Sequence, residues 1–175
     1  MNILEKEIEE IIAKADLESL ERSGLKLRLN TIIQPNLSPY GIADLICYEA
    51  DKDLSTGITT LYLQVIEIKK EKIDIYTLLQ ASKYAKALRA IMSDKRFDEF
   101  KIVTEILLVG KKIDYSNNFI DLVEFIDNVS VFTYSIDMTD GIKFTKYIAP
   151  PLNNNICPFL KNLLYPELVM NSLIG

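Results

Sequence analysis

Glu67 and Lys69 stand two residues apart in TLYLQVIEIKK, residues 60–70. In an extended strand alternate side chains share a face, so this carboxylate and this ammonium point the same way. Such a carboxylate can bind a divalent metal, with the ammonium orienting or activating the attacking water. Asp44, in the apolar run GIADLI, residues 41–46, is a further acid inside an otherwise apolar strand. A plainer account competes with this one. The strand emerges into water, and Glu67, Lys69, Lys70, Glu71 and Lys72 form its solvated end. Either way, Lys69 at a strand end is expected to matter little to the fold.

The elements that must position these residues are legible from periodicity. In residues 60–70, Leu61, Leu63, Val65, Glu67 and Lys69 line one face, and Tyr62, Gln64, Ile66 and Ile68 the other. Both faces are mainly apolar, which predicts a central strand covered on both sides. Residues 25–34 alternate as a half-buried strand, and residues 41–50 form another, with Ile42, Asp44, Ile46 and Tyr48 on one face. The polar loop 51–59 turns this strand into an antiparallel hairpin with the Glu67 strand, which brings Asp44 towards Glu67.

Helical spacing of Ile8, Ile11, Ile12 and Ala15 predicts one helix or two short ones over 3–22, broken by Gly24. Leu78, Ala81, Ala85, Leu88 and Met92 mark a helix over 75–93, with Gln80 and Tyr84 one turn apart. Residues 101–110 read as a buried strand ended by Gly110, 117–127 as a short helix, and 129–137 and 142–148 as two strands. From Pro150 the chain is loop-like and then apolar. The expected division is a body over 1–149 and an extension over 150–175 that packs on the body, on a second copy or on a partner protein.

Composition removes several chemistries. The chain has no His, which excludes Ser-His-Asp and Cys-His nucleophiles and His-bearing zinc sites. Cys47 and Cys157 are too few for a disulfide framework or a Cys₄ site. Carboxylate, Lys, Gln, Tyr and backbone chemistry remain, which favours Mg²⁺ or Mn²⁺. The net charge of −5 opposes broad attraction to nucleic acid but leaves room for a local rim of Lys70, Lys72, Lys83, Lys86 and Arg89. No apolar run reaches the roughly 18 residues that span a membrane, and the acidic N-terminus MNILEKEIEEII lacks the pattern of a signal peptide. A cytoplasmic location without membrane contact is expected.

LEKEIEEII (4–12), GIADLI (41–46), VIEIKK (65–70) and QASKY (80–84), in this order on these elements, resemble the PD-(D/E)xK nuclease superfamily. Among its members the pattern is similar to the C-terminal nuclease domain of NucS-type endonucleases and related domains. The resemblance covers about residues 3–110. It implies a restriction-endonuclease-like α/β fold, with an α-β-β-β-α-β core and a mixed central sheet flanked by helices. It also implies a metal-dependent nuclease acting on DNA, with RNA as the other substrate class. Asp44, Glu67 and the backbone carbonyl of Ile68 would hold the ion, Lys69 would sit beside the water, and Gln80 would hold the site or touch the phosphate. Either Glu5 or Glu9 would supply the helix carboxylate. Tyr84 is expected in the core. The resemblance does not extend to the DNA-binding domain of NucS-type enzymes, and a non-catalytic binding or assembly module that retains the nuclease fold is the competing function.

Overall fold

The computed structural model describes residues 4–94, 100–137, 139 and 141–149. The expected extension over 150–175 lies outside the described residues. Ten elements follow in order: α1 (Glu5–Lys14), α2 (Leu17–Arg22), β1 (Asn30–Ile33), β2 (Leu45–Lys52), β3 (Thr59–Ile73), α3 (Ile75–Asp94), β4 (Phe100–Ile113), α4 (Phe119–Phe125), β5 (Val129–Asp137) and β6 (Gly141–Lys146). The strands form one mixed sheet in sequential order. β1–β2, β2–β3 and β5–β6 pair antiparallel, while β3–β4 and β4–β5 pair parallel.

Antiparallel neighbours need only turns, and parallel ones need a crossover. The loop over residues 53–58 makes the β2–β3 turn, with Asp53 accepting bonds from Ser55 and Thr56. The crossover from β3 to β4 is α3, opened by Asp74, whose carboxylate accepts the Thr77 N–H at 3.0 Å. α1 begins where Glu7 accepts the Leu4 N–H at 2.7 Å. Asp16 caps α2 through the Ser19 N–H, which splits the 3–22 region into two helices. Gly24 ends that pair at φ +99, and its α-carbon lies so close to the Phe144 carbonyl that any Cβ would clash at 2.1 Å. That close approach fastens α2 to β6.

Period two along the strands splits the core into two layers. Ile46, Val65, Ile106, Leu108 and Val131 pack against Leu78, Ala81, Tyr84 and Ala85 of α3 and against Phe119 and Val123 of α4. Leu45, Ile66, Ile68, Leu107, Val109 and Phe132 pack against Ile8 and Ile12 of α1 and Leu20 of α2. Ile66 and Ile68 are fully buried, and each such side chain contributes up to about 1.5–3 kcal/mol.

Several predicted elements differ in extent. The strand expected over 25–34 is confined to Asn30–Ile33, because Leu25 and Leu27 bury themselves under α1 and α2 rather than in the ladder. β4 continues past Gly110 to Ile113. β3 likewise runs on to the fully buried Ile73, with one extra residue between Lys69 and Lys72 relative to β4. Gly110 sits at this bulge because a Cβ there would meet Ile73 Cγ1 at 2.6 Å. The charged run 67–72 is therefore inside a strand and is not its frayed end.

Candidate active site

β3 carries Glu67 and Lys69 on the α3 face of the sheet, as the alternation requires. Glu67 has 0% exposure. One of its oxygens, Oε1, accepts from Lys69 Nζ at 2.6 Å, while Oε2 is buried with no hydrogen-bond partner. The Lys69 side chain keeps 26% exposure, so it spans from the buried carboxylate to solvent. This corrects the expectation that Lys69 is dispensable to the fold. It neutralises a carboxylate that has no access to water, and an unpaired buried charge is costly.

Asp44 lies immediately before β2 rather than within a strand, since the ladder with β3 begins at Leu45↔Ile66. The next position along that register sets Asp44 beside Glu67 on the same face. Its Oδ2 accepts the Ile68 N–H at 2.7 Å, so a side chain replaces the backbone carbonyl that would have continued β2. A strand residue's N–H and C=O face the same neighbour, so the Ile68 carbonyl looks into the same gap. One step on, Glu5 Oε1 accepts the Lys70 N–H at 3.0 Å. Beyond the end of β2, then, two carboxylates finish the open edge of β3.

The two helix glutamates divide their work. Glu5 is exposed and bonded to β3; Glu9 is only 5% exposed and accepts from Gln34 Nε2 at 3.0 Å. Gln80 meets no site carboxylate through a hydrogen bond among the described residues. Its Nε2 donates to Tyr84 Oη at 3.2 Å, and Tyr84 is buried in the α3 layer as expected. Gly41 (φ +112) lets the loop before Asp44 lie against that phenol, where a Cβ would stand 3.4 Å from the hydroxyl. The basic rim is only partly free. Lys72 pairs with Asp114 at 2.6 Å, Arg89 Nε donates to Thr104 Oγ1, and Lys83 lies 5.1 Å from the centre of the Tyr84 ring.

Electrostatics set these acids apart from ordinary ones. Burial raises Asp44 from 3.8 to about 6; the Ile68 N–H and Lys69 oppose the rise, and the charges of Glu9 and Glu5 add to it. Burial, then the charge of Asp44, raises Glu67 from 4.5 to about 7 against the pull of Lys69. For Lys69 burial disfavours the ammonium, but the hydrogen bond and charge of Glu67, with Asp44 and Glu5 behind it, raise its pKa overall.

Near neutrality such a site holds a proton part of the time, chiefly on Glu67. Among the described residues no group of three or more His, Cys, Asp or Glu side chains is gathered as a metal cage. The fit to Mg²⁺ or Mn²⁺ rests instead on two carboxylates, the Ile68 carbonyl and the orphaned Glu67 Oε2. These are all hard oxygen donors, leaving water and substrate oxygens to complete a shell.

Sequence reasoning missed Gln34, and nothing local marks it. It also missed Tyr134, whose Oη donates to the Lys70 carbonyl at 2.6 Å. Alternation does place Tyr134 on the same face as Phe132, but which carbonyl it meets depends on the bulge.

A groove of about 470 Å³ opens on the other face of the sheet, between the 24–28 segment and β2–β6. Its floor is a closed polar network. Arg28 Nη2 donates to Glu105 Oε1 at 2.6 Å, Gln64 Nε2 to Glu105 Oε2 at 2.8 Å, and the Arg28 N–H to Gln64 Oε1 at 2.8 Å. It is separate from the Glu67 cluster by the thickness of the sheet. Among the described residues no helix is long and apolar enough to cross a membrane. Comparison with protein-family models, with curated proteins and with solved structures returns no match.

Proposed function

We propose that this chain is a restriction-endonuclease-like, metal-dependent nuclease that hydrolyses phosphodiester bonds, with DNA as its principal substrate. The observation that carries this reading is the orphaned oxygen of the fully buried Glu67, set beside Asp44 and within reach of Lys69. A buried acceptor without a partner is costly, and such sites call for a proton or a cation. Asp44, Glu67 and the Ile68 carbonyl would hold Mg²⁺ or Mn²⁺, which supplies Lewis-acid polarisation and a lowered water pKa. The chain's own residues do the rest. Lys69 uses one of its three N–H bonds on Glu67 and has others to offer a phosphate oxygen, where charge builds as water attacks. Gln80 and Tyr84 line the wall beside the Gly41 loop.

The test is a panel of labelled single- and double-stranded DNA and RNA incubated with Mg²⁺ or Mn²⁺, beside Lys69→Ala. Cleavage by the wild type and its loss in Lys69→Ala is the expected result. One observation favours a second reading, a non-catalytic assembly module. Asp44 Oδ2 and Glu67 Oε1 are already committed within the fold, to Ile68 and Lys69. No cleavage across the panel, together with no divalent-ion binding, would leave that module as the function.

A further inference from the structure

We infer that Gln34 and Glu9 are positioning residues, a latch between the end of β1 and α1 that sets Asp44 against β3. This rests on the reading of Asp44 as a site residue. Asp44 belongs to no strand, so something other than a continuous ladder must place it. The last β1–β2 pair is Ile33↔Leu45, and Gln34 follows directly. At Gln34 the backbone turns left-handed, φ 47, a region that residues with a Cβ seldom enter and that Gln has no local side-chain bond to favour.

That conformation has two consequences. The Gln34 N–H donates to the Asp44 carbonyl at 2.8 Å, and the side chain is delivered to Glu9 Oε2 at 3.0 Å. Glu9 is held in turn by its helix, whose neighbouring Ile8 and Ile12 are buried at 0% and 1%. One turn earlier the same helix presents Glu5 to the Lys70 N–H. α1 thereby bridges the two chain segments that bear the chemistry. Glu9 through Gln34 holds the Asp44 side, and Glu5 holds the strand of Glu67 and Lys69. The Asp44 carboxylate is left one short bond to make, to the Ile68 N–H. The two glutamates of α1 are thus not rivals for one role. Glu9 is the clamp, and Glu5 is the one with a solvent-facing carboxylate.

The reporter is the Ile68 amide, because its proton is bonded to the Asp44 carboxylate in the ion-free protein. In Gln34→Gly the left-handed backbone is retained while the side chain is lost. Amide hydrogen exchange and proton shifts are measured by NMR in the metal-free protein. The Ile68 amide should exchange roughly tenfold faster or more in Gln34→Gly, the loss of one bond of this class, while the other β3 amides hold their rates. Glu9→Ala should give the same selective change, and the double variant should be no worse than either single one, as two halves of one contact require. Glu9→Gln, which can still accept through its amide oxygen, should restore the wild-type rate. The inference is overturned if Gln34→Gly folds and its Ile68 amide exchanges at the wild-type rate. It is equally overturned if all β3 amides accelerate together, since that reports general loosening. Should Glu9→Ala not fold, Gln34→Gly decides alone. A wild type that binds no Mn²⁺ would sink the nuclease reading and leave the amide result standing.

Discussion

The sheet buries charge on both faces, and the two clusters settle it differently. On the α1 face Arg28 stacks 4.2 Å from the centre of the Tyr62 ring, bonds Glu105 and lies 3.7 Å from Glu49. On the α3 face Glu67 bonds Lys69 and stands beside Asp44. Each cluster leaves one buried atom unpartnered, Arg28 Nε in the first and Glu67 Oε2 in the second. A guanidinium cannot give up its proton, so an orphaned N–H there is simply a cost that the stacking and the carboxylates offset. A carboxylate oxygen has two remedies, a proton or a cation, and can exchange one for the other. One cluster is therefore a structural tie, and the other is the candidate site.

The sharpest way to break this contrast is to remove the cation of the α3 face. Lys69→Ala should lower the cleavage rate by roughly 10²–10³, the typical cost of one electrostatic donor at a transition state. Lys69→Arg should restore little of it, because the guanidinium is planar and differently aimed. Wild-type turnover by Lys69→Ala would assign the activity elsewhere.

Next in size is the response to a cation. At pH 8, Mn²⁺ at about a hundred times its dissociation constant should stabilise the wild type by about 2.7 kcal/mol through mass action. Asp44→Asn should lose most of this, and Glu105→Ala, on the other face, none of it. Thermal melts with EDTA and with Mn²⁺ check all three. Identical wild-type melts in the two buffers would remove the metal from the site.

Glu105→Ala sharpens the comparison from the structural side. It strips Arg28 and Gln64 of a shared partner, and with Arg28 26% exposed the expected loss is about 2 kcal/mol rather than the larger cost of a fully buried pair. Chemical denaturation measures it. A change below the error of that measurement would show the network to be ornamental.

A further separation of the two faces is the dependence on pH without metal. Asp44 and Glu67 have folded pKa values of about 6 and about 7, above their ordinary 3.8 and 4.5. Between those limits the folded chain holds protons on these two groups that the unfolded chain has released, so their contribution to stability is fullest below about 4, falls as pH rises towards 7 and then levels. At about 1.4 kcal/mol for each pH unit that separates the folded from the ordinary value of each group, the fall is several kcal/mol in all, and Glu67→Gln should remove about half of it. Equal slopes for wild type and Glu67→Gln would mean that other groups titrate.

Local pattern was enough for much of this molecule. The period-two run Leu61–Ile68 specifies a two-faced central strand, and residues two apart in it must share a face, so the Glu67–Lys69 pairing follows from spacing alone. The stripe Leu78, Ala81, Ala85 specifies α3, and the order of elements follows from turn and helix signals. Those are short-range consequences of backbone geometry.

What tertiary structure alone decided is everything that depends on who lies opposite. β3 continues through a charged run because β4 offers a parallel partner and Gly110 leaves room for Ile73. Asp44 leaves its strand because the Ile68 N–H takes its carboxylate. Glu5 and Glu9, indistinguishable by helical spacing, part because one meets the edge of β3 and the other meets Gln34. Gln80 turns to Tyr84 instead of the acids. The decisive property, a carboxylate with no water and one oxygen without a partner, is a property of burial. Burial is set by chain segments tens of residues away, and it raises the pKa of Glu67 where its own neighbours in sequence, Lys69 above all, pull it down.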